Sequence, residues 1–208
     1  MKSTTNTNIQ EKKQPSVCVV VARHNEPIDW LPALPEDYDI YISNSGKDDP
    51  AIPKVPNKVQ VVRVANEGRE AGHWIRYIAE NYNGLADINV FLQGSPHIGH
   101  TNDILFHIER SHLTESFSYL ASTDQSSRKL EGLGRTLIQT SVGRKYSIVP
   151  QSSGGVWGGQ HYASKEAIKK YPQEYYQDIL KKAASEGYGF AAKLEHAYNC
   201  VYGIPPKA

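Results

Sequence analysis

The stretch "VANEGREAGHWIRYIAENYNGLADINVFLQGSP", residues 64–96, sets an amphipathic helix directly before a buried strand. Ala71, Trp74, Ile75, Ile78, Ala79 and Tyr82 recur at i, i+3, i+4, i+7, i+8 and i+11, an apolar stripe suited to lie on a sheet. The helix opens on the polar turn "NEGRE", and the strand stops at the equally turn-rich "QGSP". A helix that runs back along a sheet into a strand brings its own start and the strand's end to the same side. The two polar edges therefore flank one crevice.

Working outward, "VCVVVA", "YDIYISN" and "VQVVRV" are three earlier strand-like runs, the first continuous and β-branched as in strands covered on both faces. Loops holding Pro and Gly separate them. Strand, loop, strand, loop, strand, helix, strand describes an α/β fold, a mostly parallel central sheet flanked by helices. Residues 1–15 are polar and end in Pro, so they read as a disordered tail, and 16–208 as one domain.

Past Pro96, "TNDILFHIERSHL" reads as a helix capped by Thr101 or Asn102. Residues 121–159 hold "STDQSS", "GLGR", "SVGRK" and "SSGGVWGG" and read as long loops around one short helix. "GGQHYAS" reads as a strand, "KEAIKKYPQEYYQDILKKAASEG" as helices broken before Pro172, and "FAAKLEHAYNCVYG" as a closing helix ended by Gly203.

The 208 residues suit a single domain, and 23 Lys and Arg against 22 Asp and Glu leave a net charge of +1, which advertises no polyanion partner. Cys18 and Cys200 lack metal-ligand spacing and read as reduced, buried thiols of a cytoplasmic protein. No apolar run reaches the ~20 residues of a membrane span, and none at the N-terminus suggests secretion.

In an open α/β sheet, ligands bind beyond the carboxyl ends of the strands. Those ends here are "ARHNEP", "SNSGKDD", "ANEGRE" and "QGSPH". In "NEGRE", Gly68 permits a positive φ, and the first helical turn offers free N–H groups to a phosphate. Arg69 adds a planar fork of donors suited to a diphosphate. Taken alone, the turn reads equally as Glu67 and Glu70 complementing the helix dipole beside a solvated Arg69.

His97, His100, His107 and His112 cluster, but "PHIGH" matches no compact metal motif. A nucleophile elbow, a phosphate loop ending in Gly-Lys-Ser/Thr and a dinucleotide fingerprint after the first strand are all missing from the sequence.

The blocks "VVVARHNEPIDWLPALPEDYDIYISNSG", "NEGREAGHWIRYIAENYNGLADINVFLQGSP", "GGQHYASKEAIKKYPQEYYQDIL" and "LEHAYNCVYG" resemble the DUF3431 family of uncharacterised proteins. That family is similar in layout to glycosyltransferases of the GT-A fold. The resemblance implies a single GT-A-like, Rossmann-like domain over residues 16–208 that binds a nucleotide sugar. Arg23, His24, Asn25 and Glu26 would then lie near the base or ribose, and Asn66, Gly68 and Arg69 would face the donor.

GT-A enzymes commonly end the fourth strand in Asp-x-Asp, whose carboxylates hold a divalent cation. Here Gln93 and Gly94 occupy that place on the donor side. Either no metal is needed and Arg69 with other cations neutralises the leaving diphosphate, or Mn²⁺ or Mg²⁺ is held by other residues, Asp124 and His161 being the substitutes. "GGQHYAS" resembles the acceptor-side strand, which assigns Gln160 and His161 to that side. An inverting transferase needs a carboxylate to take the acceptor's proton, a role for Glu195 or Asp124. Glu195 reads equally as a partner within its own helix.

The resulting expectation is a glycosyltransferase, hexosyl or pentosyl, that moves a sugar from a nucleotide diphosphate to a hydroxyl acceptor. Arg128, Lys129, Arg135, Arg144 and Lys145 make residues 121–159 locally basic, which admits a modified base in DNA as acceptor. The alternative is a non-catalytic nucleotide-sugar-binding module of the same shape. A hydrolase using Asp124 and a histidine ranks third, since it has no defined nucleophile.

Overall fold

A strand with no polar face needs cover on both sides, and β1 (Val17–Arg23) is buried at every position. It lies centrally in a sheet that has six strands among the described residues, which in chain order stand third, second, first, fourth, sixth, fifth across the sheet. The computed structural model describes residues 13–97, 103–120, 141–147, 159–187, 189, 194 and 198–203. Within them, β2 (Asp39–Asn44), β3 (Val59–Arg63) and β4 (Ile88–Gln93) join β1 by parallel pairing.

The remaining two strands change the expected character of the sheet. β6 (His161–Ser164) runs antiparallel to β4, and β5 (Phe117–Tyr119) runs antiparallel to β6, so the sheet is mixed.

Alternation along the strands sends side chains to two cores. Val17, Val19 and Val21 of β1 pack with Ile40, Ile42, Val90 and Leu92 over Leu31, Tyr38, Ile104 and Ile108. Cys18, Val20 and Ala22 face the other way, with Tyr41 and Phe91, onto two long helices.

The first of these, α1 (Arg69–Asn81), buries the Ala71, Trp74, Ile75, Ile78 and Ala79 stripe that its sequence marks out. Trp74 donates its indole N–H to the carbonyl of Leu92, at 3.2 Å, and so ties the helix to the end of β4.

The segment 101–113 is not one helix in its described part. It forms a single turn, α2 (Ile104–His107), and a 3-10 turn, Arg110–His112. Asp103 precedes the first at φ 60 with no side-chain cap, so the backbone turns sharply there. A five-residue helix, α3 (Ser141–Lys145), follows.

The break before Pro172 occurs as read. Ser164 Oγ accepts from the Ala167 N–H at 3.1 Å to cap α4 (Lys165–Ile168), and Pro172 then opens α5 (Gln173–Glu186), the second long helix. Gln173 Nε2 donates to the Ala79 carbonyl at 2.6 Å, joining α5 to α1. Of the closing helix, α6 (Tyr198–Val201) is described, and Gly203 follows it at φ 60. No helix among the described residues is long and apolar enough to cross a membrane.

Candidate functional site

The carboxyl ends of β1 and β2 are fastened together by one arginine. Arg23, only 4% exposed, donates from Nη1 to Asn44 Oδ1 at 2.9 Å, from Nη2 to Asp48 Oδ2 at 2.9 Å and from Nε to the Glu26 carbonyl at 2.8 Å. These bonds hold the Asp48 carboxyl below the usual carboxylate range. Asn44 Oδ1 also accepts from the Gly46 N–H at 3.1 Å. Arg23 thus serves as a strut between two loops, with its guanidinium committed to protein partners.

Gly46 is forced by the same contact: a Cβ there would stand 1.5 Å from the His24 carbonyl oxygen. Beside it, His24 Nδ1 meets Ser45 Oγ at 3.1 Å, and Asn25 Oδ1 accepts from the Lys47 N–H at 3.3 Å.

Glu26 crosses from this loop to the end of β4. Its Oε2 accepts from the backbone N–H groups of His24, at 2.6 Å, and Asn25, at 3.1 Å. The side chain lies on Gly94, where a Cβ would be 2.8 Å from Oε2 and 2.9 Å from the Glu26 Cβ. A carboxylate therefore sits at the end of the fourth strand after all, delivered from the first loop. Oε1 makes no hydrogen bond to any described residue.

The opening turn of α1 is shaped by glycine. Gly68 has φ 75 and caps the helix without a side-chain bond, and Arg69 follows at φ 52. Two successive left-handed residues turn the chain sharply into the helix. Asn66 and Arg69 are exposed, the Arg69 side chain by 56%, while Glu67 pairs with Arg76 at 3.0 Å.

One polar group in this helix escaped the strand-end reading. His73, 3% exposed, donates from Nδ1 to the Ser43 carbonyl at 3.0 Å, because a carbonyl can only accept. Burial pushes its pKa down to about 4, and Glu26 and His24 are close enough to act on it electrostatically. The signal available was a histidine inside an apolar stripe, between Gly72 and Trp74.

Gln160 and His161 lie on the β6 side of β4. Gln160 Oε1 accepts from the Gln93 N–H at 3.0 Å, and its Nε2 donates to the Pro96 carbonyl at 3.1 Å, so it braces the "QGSP" turn. His161 is fully buried and stacks on Tyr198 at 4.0 Å and on Phe91 at 4.8 Å. Nδ1 donates to the Gly159 carbonyl at 2.6 Å, which leaves Nε2 to accept from the Tyr202 hydroxyl at 3.0 Å. Its pKa falls to about 3 through burial, so the ring is neutral and walled in by aromatics.

A family model described as "Protein of unknown function (DUF3431)" matches residues 18–121, half of the chain. The chain belongs to the DUF3431 family. No curated protein matches it. The matched stretch carries β1 through β5, and with them every crevice residue from Arg23 to Gly94. Gln160 and His161 lie beyond it.

Among the described residues, none of the others singled out in this DUF3431 protein joins this group. Asp124, Glu195, His100, Arg128, Lys129 and Arg135 lie outside the described residues. Lys145 is paired with Asp178 at 2.6 Å. His112 Nδ1 donates to the Phe106 carbonyl at 2.7 Å. Burial pushes the Cys18 thiol up to about 11, which leaves it protonated and unreactive. Among the described residues no three His, Cys, Asp or Glu side chains are grouped to hold a metal ion.

Proposed function

We propose that this protein is a glycosyltransferase of GT-A-like architecture, moving a sugar from a nucleotide diphosphate to a hydroxyl acceptor. The carrying observation is the Glu26–Gly94 contact, which puts over the end of β4 a carboxylate with one oxygen that has no hydrogen-bond partner among the described residues. In the fold that the sequence resembles, that is where donor recognition centres. Support also comes from the way the ends of β1, β2 and β4 are brought together, with Gly46 letting the loop after β2 close on the His24 carbonyl and Gly94 letting Glu26 lie over β4.

In this reading the donor lies along the crevice. Glu26 Oε1 accepts from a ribose or sugar hydroxyl. The diphosphate meets the opening turn of α1, where the positive end of the helix and the exposed Arg69 offset its charge as the bond to the sugar breaks. Arg23 fixes the loops and does not touch the donor. Catalysis is mainly positioning plus stabilisation of the leaving group. Proton removal from the acceptor is assigned to Glu195 or Asp124.

A divalent cation on the donor is common in this fold, and Glu26 alone is a poor ligand set for one. The described residues do not fit a Mn²⁺ or Mg²⁺ centre, and no step above passes through a metal.

The test is titration of the full chain with a panel of nucleotide sugars, with and without Mn²⁺ or Mg²⁺, following binding and donor turnover. Binding with hydrolysis or transfer, abolished in Glu26→Gln, is the expected result. Binding without turnover would make the protein a nucleotide-sugar-binding module, and absence of binding throughout would end the proposal.

A further inference from the structure

Beyond Gly94 the wall of the crevice continues into a separate hollow. Pro27, Asp29, Trp30, Ser95 and His97 line an open hollow of about 330 Å³, toward the lower end of the range for small-molecule sites. Its lining comes from the two segments that leave β1 and β4. Pro27 follows Glu26 in the chain and Ser95 follows Gly94, so the hollow and the donor crevice share the Glu26–Gly94 wall.

Trp30 is anchored in a way that decides what it can offer. Its indole N–H donates to the Gly94 carbonyl at 2.8 Å, and the ring packs on the core beneath it. The polar corner of the indole is used up, which leaves apolar ring surface held at a fixed angle. His97 meets that ring edge-on, with centroids 6.3 Å apart and planes at 89°.

The polar groups around the ring are differently placed. Asp29 is exposed and makes no hydrogen bond or ion pair to any described residue. Ser95, half-buried, adds a hydroxyl that can donate or accept. A fixed apolar ring beside an uncommitted carboxylate and a hydroxyl suits a ligand with one C–H face and several hydroxyls. A carboxylate with no ion-pair partner among the described residues disfavours a phosphate or any other anion at the same spot.

We propose that this hollow is a saccharide subsite, taking a neutral pyranose with its C–H face on Trp30 and its hydroxyls on Asp29 and Ser95. As the acceptor site it rests on the sugar-transfer reading, because it opens beside Glu26. As a saccharide site it stands without that reading. It also separates the candidate acceptors, since a DNA strand would bring phosphates to Asp29.

The experiment uses the full chain and methyl glycosides of glucose, galactose, mannose and N-acetylglucosamine, with choline and methyl phosphate as cationic and anionic controls. Binding is read by saturation-transfer NMR and calorimetry, and nucleotide-sugar binding is measured on the same samples. At least one glycoside should bind, with saturation strongest on the C–H protons of one ring face. Asp29→Asn and Trp30→Ala should each weaken it about tenfold or more, as loss of one good contact does, and Asp29→Asn should leave donor affinity unchanged.

Trp30→Phe keeps an apolar ring without the Gly94 bond and should retain most of the affinity, which guards against reading a misfolded variant as a binding loss. No glycoside binding, binding indifferent to Asp29 and Trp30, or binding only of choline or methyl phosphate would each overturn the inference. Glycoside binding with no donor binding would uphold the subsite and reject the transferase.

Discussion

The carboxylate of Glu26 rests directly on the Cα of Gly94, and a methyl group at residue 94 would stand 2.8 Å from Oε2. The same carbonyl-bearing glycine accepts the Trp30 indole N–H at 2.8 Å. One residue without a side chain therefore seats both the candidate donor carboxylate and the ring of the adjoining hollow. The orientation of Glu26 follows, because Oε2 is fastened by the N–H groups of His24 and Asn25 while Oε1 has no hydrogen-bond partner among the described residues.

Gly94→Ala should displace Glu26 without unfolding the protein. Of the three Glu26 atoms a Cβ would meet, Oε2 at 2.8 Å and Cδ at 3.2 Å can swing away while Cβ at 2.9 Å moves only with its loop, so the stability cost is expected at ~1–3 kcal/mol, the usual range for overpacking. Donor affinity should fall by about tenfold, the equivalent of one misplaced polar contact. Gly84→Ala is the matched control: a Cβ there meets only the Asn81 carbonyl oxygen at 3.8 Å, and neither property should change. Calorimetric titration beside chemical denaturation checks both.

Gly46→Ala should be far more damaging. Its Cβ would lie 1.5 Å from the His24 carbonyl oxygen and 2.7 Å from the carbonyl carbon, which are backbone atoms that cannot swing aside. The loops after β1 and β2 would have to separate, breaking the bond from the Gly46 N–H to Asn44. A loss of more than ~3 kcal/mol is expected, in the severe tail for single substitutions. Urea denaturation of the variant would show it as a midpoint shift with little change in slope.

Acid should destabilise the fold before carboxylates do. His73 and His161 have folded pKa values pushed down by burial to about 4 and about 3, from an ordinary 6.5. Below pH 6.5 the unfolded chain takes up protons that the folded one refuses. The stability these histidines allow is thus fully present above pH 6.5 and is lost as pH falls toward 4, at up to roughly 1.4 kcal/mol per pH unit for each. Denaturation at steps from pH 7 to pH 4.5 measures the slope, which His73→Gln should reduce by about one proton. An unchanged slope in that variant would reject the assignment.

What the sequence revealed was whatever repeats locally. The β-branched runs of β1 to β4 and the apolar stripe of α1 carry their period in adjacent residues, and Gly68 at φ 75 is where a turn glycine was read. β5 is three residues, Phe117–Tyr119, too short to show an alternation, and it escaped notice. The antiparallel entry of β6 is a matter of pairing across the sheet, to which no local pattern responds.

The site divides the same way. Polar strand ends mark the crevice, but nothing near Arg23 announces that Asn44 and Asp48 will consume its guanidinium. Nothing near Glu26 announces Gly94. The sequence assigns His161 to the acceptor side and to a substitute metal ligand, and only the gathered aromatic rings make it part of the core.

The contrast between two arginines is the sharpest test of that division. Both are strand-end or turn cations, read from sequence as donor ligands. Arg23 is 4% exposed and joins Asn44, Asp48 and the Glu26 carbonyl, whereas the Arg69 side chain is 56% exposed and lies 3.6 Å from Glu70. Arg23→Met would leave buried Asn44 Oδ1 short of a donor and should cost ~2–4 kcal/mol. Arg23→Lys should not restore it, because an ammonium cannot reproduce the fork on Asp48. Arg69→Gln should leave stability within about 0.5 kcal/mol, as for other exposed substitutions, yet weaken nucleotide-sugar binding by about tenfold while sparing binding of the bare nucleoside. Melting curves and paired titrations with nucleoside and nucleotide sugar separate the two roles. Equal losses of stability in both variants would show that Arg69 too is a strut, and would remove it from the diphosphate site.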